Sequence, residues 1–75
     1  MPGIAQTNPK LLVEIAKLRV QRAQRYLDRQ REAVAALERA GQDATTAERL
    51  LKISERALAT HAADRDRFTK AVARG

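Results

Sequence analysis

The chain contains no cysteine and no tryptophan, and only one histidine, two prolines and three glycines in 75 residues. Without cysteine there is no disulfide and no thiolate metal site, and the redox compartment leaves no mark. Aromatic residues make up 3% of the sequence, namely Tyr26 and Phe68, too few for the stacking platform of a single-strand nucleic-acid binder. No apolar run approaches the ~20 residues that a membrane span requires. Met1 to Pro9 has neither a basic start nor an apolar stretch, so no signal peptide is expected. A cytoplasmic setting follows by default. Acidic side chains are also scarce, nine against fifteen Lys and Arg, which leaves a net charge of +6. A chain this short is one domain at most, and alone it buries only a thin core.

What remains is helix-forming material. Residues 1–7 read as a flexible leader carrying Pro2 and Gly3. Asn8-Pro9 then opens a long segment, Asn as a favoured N-cap and Pro at the first helical position, where its missing N–H costs nothing. Lys10 to Ala40 holds neither Gly nor Pro and is rich in Ala, Leu, Arg, Glu and Gln, all strong helix formers. Gly41 ends the run, as glycine does where a helix turns left-handed. The next helix has two candidate starts. Asp43 can accept from the N–H groups of the new first turn, or Thr45 and Glu48 can form a Thr-x-x-Glu capping box. No stretch alternates with period two, so no strand is expected. The spacing therefore predicts an all-α chain with helices over 9–40 and 45–74 and a turn over 41–44. Two helices joined so closely fold back as an antiparallel, coiled-coil-like hairpin over residues 8–75.

The 3-4 spacing selects Val13, Ala16, Val20, Ala23, Leu27, Gln30, Val34 and Leu37 on the first helix. On the second it selects Ala47, Leu51, Ser54, Leu58, His61, Arg65, Phe68 and Val72. Folding the chain at residues 41–43 pairs Leu37 with Ala47, Val34 with Leu51, Gln30 with Ser54 and Leu27 with Leu58. Further out it pairs Ala23 with His61, Val20 with Arg65, Ala16 with Phe68 and Val13 with Val72. Large residues then face small ones at Ala16/Phe68 and Ala23/His61, which keeps the helices evenly spaced. The two uncharged polar residues, Gln30 and Ser54, share a layer and can bond each other. Such a layer costs stability but penalises slipped registers.

Apolar residues are left over. Leu11, Ile15 and Leu18 form a second stripe on the first helix; Leu50, Ile53 and Ala57 do so on the second, with Ala33, Ala36 and Ala40 nearby. One hairpin cannot cover both stripes. The expectation is a homodimer of hairpins, a four-helix bundle with Leu11, Ile15, Leu18, Leu50, Ile53 and Ala57 in its interface. Antiparallel pairing, with Leu18 and Ile53 buried, keeps the basic stretches of the two copies apart.

Catalytic chemistry finds little support. His61 is the sole histidine, and a metal site needs further ligands converging on it. It reads as a half-buried seam residue with its polar edge towards solvent. Ser54 and the threonines have no base beside them, and Tyr26 reads as a ring packed over its helix. No Gly-rich phosphate loop, carboxylate pair or metal-ligand spacing occurs. The reading is non-enzymatic, with no cofactor and no metal. Arg19, Arg22, Arg25, Arg29 and Arg31 are the alternative site, a stripe that could follow a phosphate backbone with Gln21, Gln24 and Gln30 beside it. Against it stand the interspersed acids, with Lys10/Glu14 and Arg25/Asp28 expected to pair. A helix-turn-helix is also missing. A membrane partner is not expected, since the hairpin uses the apolar face. The first reading is an interaction or regulatory module with an unidentified protein partner; a basic nucleic-acid-associated protein comes second.

Three stretches carry a resemblance: Leu27-Asp-Arg-Gln-Arg-Glu32, Leu37-Glu-Arg-Ala-Gly-Gln-Asp43 with Ala47-Glu-Arg-Leu-Leu51, and Leu58-Ala-Thr-His-Ala-Ala-Asp-Arg-Asp-Arg67. From Arg22 to Phe68 the chain resembles a family of short uncharacterised alphaproteobacterial helical proteins. Their pattern runs RQR, then LERDGHDT, then a Leu-Leu pair and a terminal H-x-x-H-R-D-R. Gln42 stands where that pattern has His, Ala44 where it has Thr, and Asp64 in place of the second terminal His. The last change counts against a family metal site. The resemblance implies a bacterial cytosolic helical protein without assigning it an activity.

Overall fold

The computed structural model describes residues 8–74, and the expected leader over 1–7 lies outside the described residues. Two helices, α1 (Pro9–Arg39) and α2 (Thr45–Ala73), pack against each other along their length. Each ends one residue short of its expected limit, because Ala40 and Arg74 serve as C-caps. The body measures 56 × 26 × 14 Å. Its thinnest dimension matches one layer of helices with side chains, ~10–12 Å across.

The ends of the helices follow from single residues. Asn8 Oδ1 accepts from the Lys10 N–H at 2.8 Å, ahead of Pro9 in the first turn. At the far end Gly41 adopts φ +69°. There the Gln42 N–H reaches the Leu37 carbonyl at 2.9 Å and the Gly41 N–H reaches that of Glu38 at 3.0 Å. This is the paired 6→1 and 5→2 pattern of a Schellman close, which needs a left-handed residue at Gly41. Of the two candidate starts for α2, the structure uses Asp43. Its Oδ1 accepts from the Thr45 N–H at 2.9 Å and from the Thr45 hydroxyl at 2.6 Å. The capping box between Thr45 and Glu48 does not form, since that hydroxyl is already turned back to Asp43 and the cap position is Ala44.

All sixteen expected seam residues are buried or partly buried. Leu27 and Ala16 are the most enclosed, each 2% exposed, with Val13, Val34 and Ser54 also buried. Ala44 extends the seam by one residue under the turn and is buried too. The register is pinned by the Ser54 hydroxyl, which donates to Gln30 Oε1 at 3.1 Å.

Candidate functional site

With the seam in place, the remaining surface sorts into sides. Arg31 and Glu55 approach to 4.0 Å across one flank, which fixes the positions that border the seam there. Heptad steps from that pair place Gln24, Asp28 and Glu38 of α1 with Glu48 and Lys52 of α2 on the same broad face. The opposite broad face takes the other flanking positions. Near the turn these are Tyr26, Ala33, Ala36 and Ala40 of α1 with Leu50, Ile53 and Ala57 of α2. Nearer the termini they are Leu12, Ile15, Arg19 and Arg22 with Asp64, Arg67 and Ala71. One broad face is polar apart from alanines (Ala35, Ala59, Ala62 and Ala73), whereas the other is apolar near the turn and charged near the termini.

The stripes expected to form an interface fall in two separate places. Leu50, Ile53 and Ala57 lie on the mixed face near the turn, where Ile53 is 60% and Leu50 46% exposed. Leu11 and Leu18 lie on the outer edge of α1, opposite the seam rather than beside it, at 53% and 50% exposed. Ile15 turns towards the mixed face and is half-buried. Tyr26, 51% exposed, joins Leu50 and Ile53. Sequence reasoning missed that grouping, because it sought apolar stripes helix by helix and read Tyr26 as a ring packed over its own helix.

The charges are segregated along the rod. Residues 26–59 hold six bases (Arg29, Arg31, Arg39, Arg49, Lys52, Arg56) and six acids (Asp28, Glu32, Glu38, Asp43, Glu48, Glu55). The other nine bases and three acids all lie in 8–25 and 60–74, so this terminal half of the hairpin carries the whole +6. Arg19, Arg22, Arg25 and Arg29 are exposed and make no ion pair with a described residue. Arg31 differs, bridging Asp28 at 3.8 Å and Glu55 at 4.0 Å. The acids choose other partners than the expected ones. Glu14 pairs with Lys17 at 3.6 Å rather than with Lys10. Asp28 takes Arg31 and a hydrogen bond from Gln24 at 3.1 Å rather than Arg25.

On α2 the acids neutralise their neighbours. Arg67 bonds Asp64, and the Arg65 Nε donates to Asp66 at 3.1 Å. Arg65 thereby keeps its stem in the seam and its head in water. The Arg67 guanidinium carbon also lies 5.8 Å from the centroid of the Phe68 ring, within cation–π range. Asp43 is the one group among the described residues whose pKa is displaced. The Thr45 hydroxyl, and then the Thr45 N–H, hold its carboxyl below the ordinary value.

His61 is half-buried in the seam, as its spacing predicts, and its Nδ1 is buried with no hydrogen-bond partner among the described residues. No group of three His, Asp or Glu converges to hold a metal ion among the described residues. The hollows along the body are shallow and line its surface. One at the mouth of the hairpin is bordered by Lys10, Val13, Glu14, Thr69 and Val72. No described helix is long and apolar enough to cross a membrane. No family model, curated protein or solved structure matches the chain.

Proposed function

We propose that this chain is a non-enzymatic helical-hairpin interaction module of the cytoplasm that acts through protein–protein contacts and works as a homodimer, two hairpins forming a four-helix bundle. One observation carries the reading: five large apolar side chains (Leu11, Leu18, Tyr26, Leu50 and Ile53) stay about half exposed on a ribbon one helix thick. A single seam leaves no further place to bury them, and exposed apolar patches on small domains mark association surfaces. Sedimentation equilibrium over a micromolar concentration series tests this. The reading expects a reversible dimer; a folded monomer throughout the series overturns it.

The confinement of the +6 charge to one half supports a second reading, a basic nucleic-acid-associated protein. Arg19, Arg22, Arg25, Arg29 and Arg31 would follow the phosphates, with Arg31 the least available because two acids already hold it. Contacts with several phosphates make affinity fall by orders of magnitude between ~50 and ~200 mM salt. Duplex DNA titrated at both salts decides the matter, and absence of binding at the lower salt ends this reading.

A further inference from the structure

We infer that the second copy docks on the turn-proximal half of the mixed face alone, centred on Leu50 and Ile53, with the two hairpins antiparallel and their basic ends projecting outward on opposite sides. This rests on the dimer proposed above and specifies where and how it forms.

Three overlays of two ribbons are conceivable. Parallel stacking sets +6 against +6 along the terminal halves. Full-length antiparallel stacking lays Arg19, Arg22 and Arg67 of each copy over Tyr26, Leu50 and Ile53 of the other. Guanidinium groups would lose water there and gain no acid, a costly exchange. Sliding the copies apart until only the turn-proximal halves overlap removes the first penalty and cuts the second to a single guanidinium, Arg29. Residues 26–59 are charge-balanced, and on this half of the mixed face Arg29 is the only charged side chain. The polar face of the same half carries Asp28, Arg31, Glu38, Glu48, Lys52 and Glu55, so the second copy has one side on which to sit.

The shape of the half-face suits a two-fold contact. Leu50 and Ile53 lie level with Ala33 across the hairpin, so a two-fold axis there brings each apolar pair against its own copy. Tyr26 of each hairpin then reaches towards Ala40 of the other, large against small. The overlap from Tyr26 to Ala40 is ~21 Å long. Two helices at ~10 Å spacing give it a width of ~20 Å, hence about 400 Å² per copy. That is about 800 Å² in total, below the ~1,200 Å² at which stable specific interfaces begin, and it implies a weak dimer that dissociates on dilution.

The absence of cysteine makes single-cysteine variants clean reporters. Ala33→Cys, beside the axis, should join two copies through a short bis-maleimide, whereas Leu18→Cys, outside the overlap, should not. In sedimentation, Ile53→Glu and Tyr26→Glu should each yield helical monomers while Leu18→Glu remains dimeric. Ile53 and Tyr26 are both half-exposed or more in the isolated hairpin, and circular dichroism verifies that each variant stays folded. A wild-type monomer overturns the dimer itself. A wild-type dimer that survives Ile53→Glu and Tyr26→Glu but is lost in Leu18→Glu overturns this placement and leaves the dimer standing. Cross-linking of the Leu18→Cys variant without cross-linking of the Ala33→Cys variant does the same.

Discussion

The hydroxyl of Ser54 donates to Gln30 Oε1 at 3.1 Å across the seam, 24 positions apart in the chain. It is the one side-chain hydrogen bond between the helices among the described residues, and it lies inside an otherwise apolar stretch between the Val34/Leu51 and Leu27/Leu58 layers. A slip of one layer along the seam breaks it and leaves Gln30 facing Leu51 or Leu58. Ser54→Ala alone should cost about 1 kcal/mol in urea unfolding, because it strands the Gln30 amide. The double change Gln30→Leu with Ser54→Ala should instead raise the melting temperature while loosening register or oligomeric state. Strong destabilisation by the double change would contradict a purely register-setting role.

Leu27 is the most enclosed large side chain, at 2% exposed. Leu27→Ala should cost ~2–5 kcal/mol, a large share of the ~5–15 kcal/mol available to a small domain. Urea unfolding followed by circular dichroism should therefore show the midpoint moved to much lower urea.

His61→Leu should act in the opposite direction. It removes a buried Nδ1 that has no partner and keeps a large residue opposite Ala23. Thermal unfolding should register a gain of about 1 kcal/mol. A loss would mean that the ring holds a bond the structure does not display.

Gly41 can be tested for conformation alone. A Cβ there meets nothing within 4 Å, yet φ is +69°. Gly41→Ala should thus cost ~1–2 kcal/mol through backbone strain, and Gly41→Asn less. Equal losses from the two would point to a contact rather than to φ.

Asp43 contributes to the acid limb of the stability curve. Its carboxyl is held below the ordinary 3.8 by the Thr45 hydroxyl and N–H. The ionised form is therefore favoured in the folded chain. Its contribution is present above 3.8 and disappears as pH falls through the lower folded value. Melting temperatures measured across that range should decline more steeply for the wild type than for Asp43→Asn, which accepts the same bonds but cannot titrate.

The seam was legible in the sequence because its cause is local and repeated. A long run without Gly or Pro forces helix, and a 3-4 pattern ending at Gly41 permits one pairing, which Gln30 and Ser54 verify. The start of α2 was less so, since the side chains of Asp43 and Thr45 compete for the same turn and their outcome depends on one hydroxyl rotamer. Surface pairs were the least legible. Glu14 has Lys10 and Lys17 within one turn, and such exposed pairs differ by only tenths of a kcal/mol. The grouping of Tyr26 with Leu50 and Ile53 follows once the residues before Leu27 and Leu51 are placed on one flank and Arg31 and Glu55 on the other, a step that reading each helix by itself does not take.

The turn is also where this hairpin must begin to assemble. Leu37 and Ala47 are ten positions apart in the chain, Val13 and Val72 fifty-nine, so each successive layer closes a longer loop. The Schellman close, the Asp43–Thr45 bonds, the Gln30–Ser54 bond and the Arg31–Glu55 pair all fall within the charge-balanced half, while like charges repel at the mouth. Folding should therefore zip from Gly41 outward, and amide hydrogen exchange should show protection falling from Leu27 and Leu58 towards Val13 and Val72. Because that repulsion is screened by ions, added salt should slow exchange at the mouth and leave the turn unchanged.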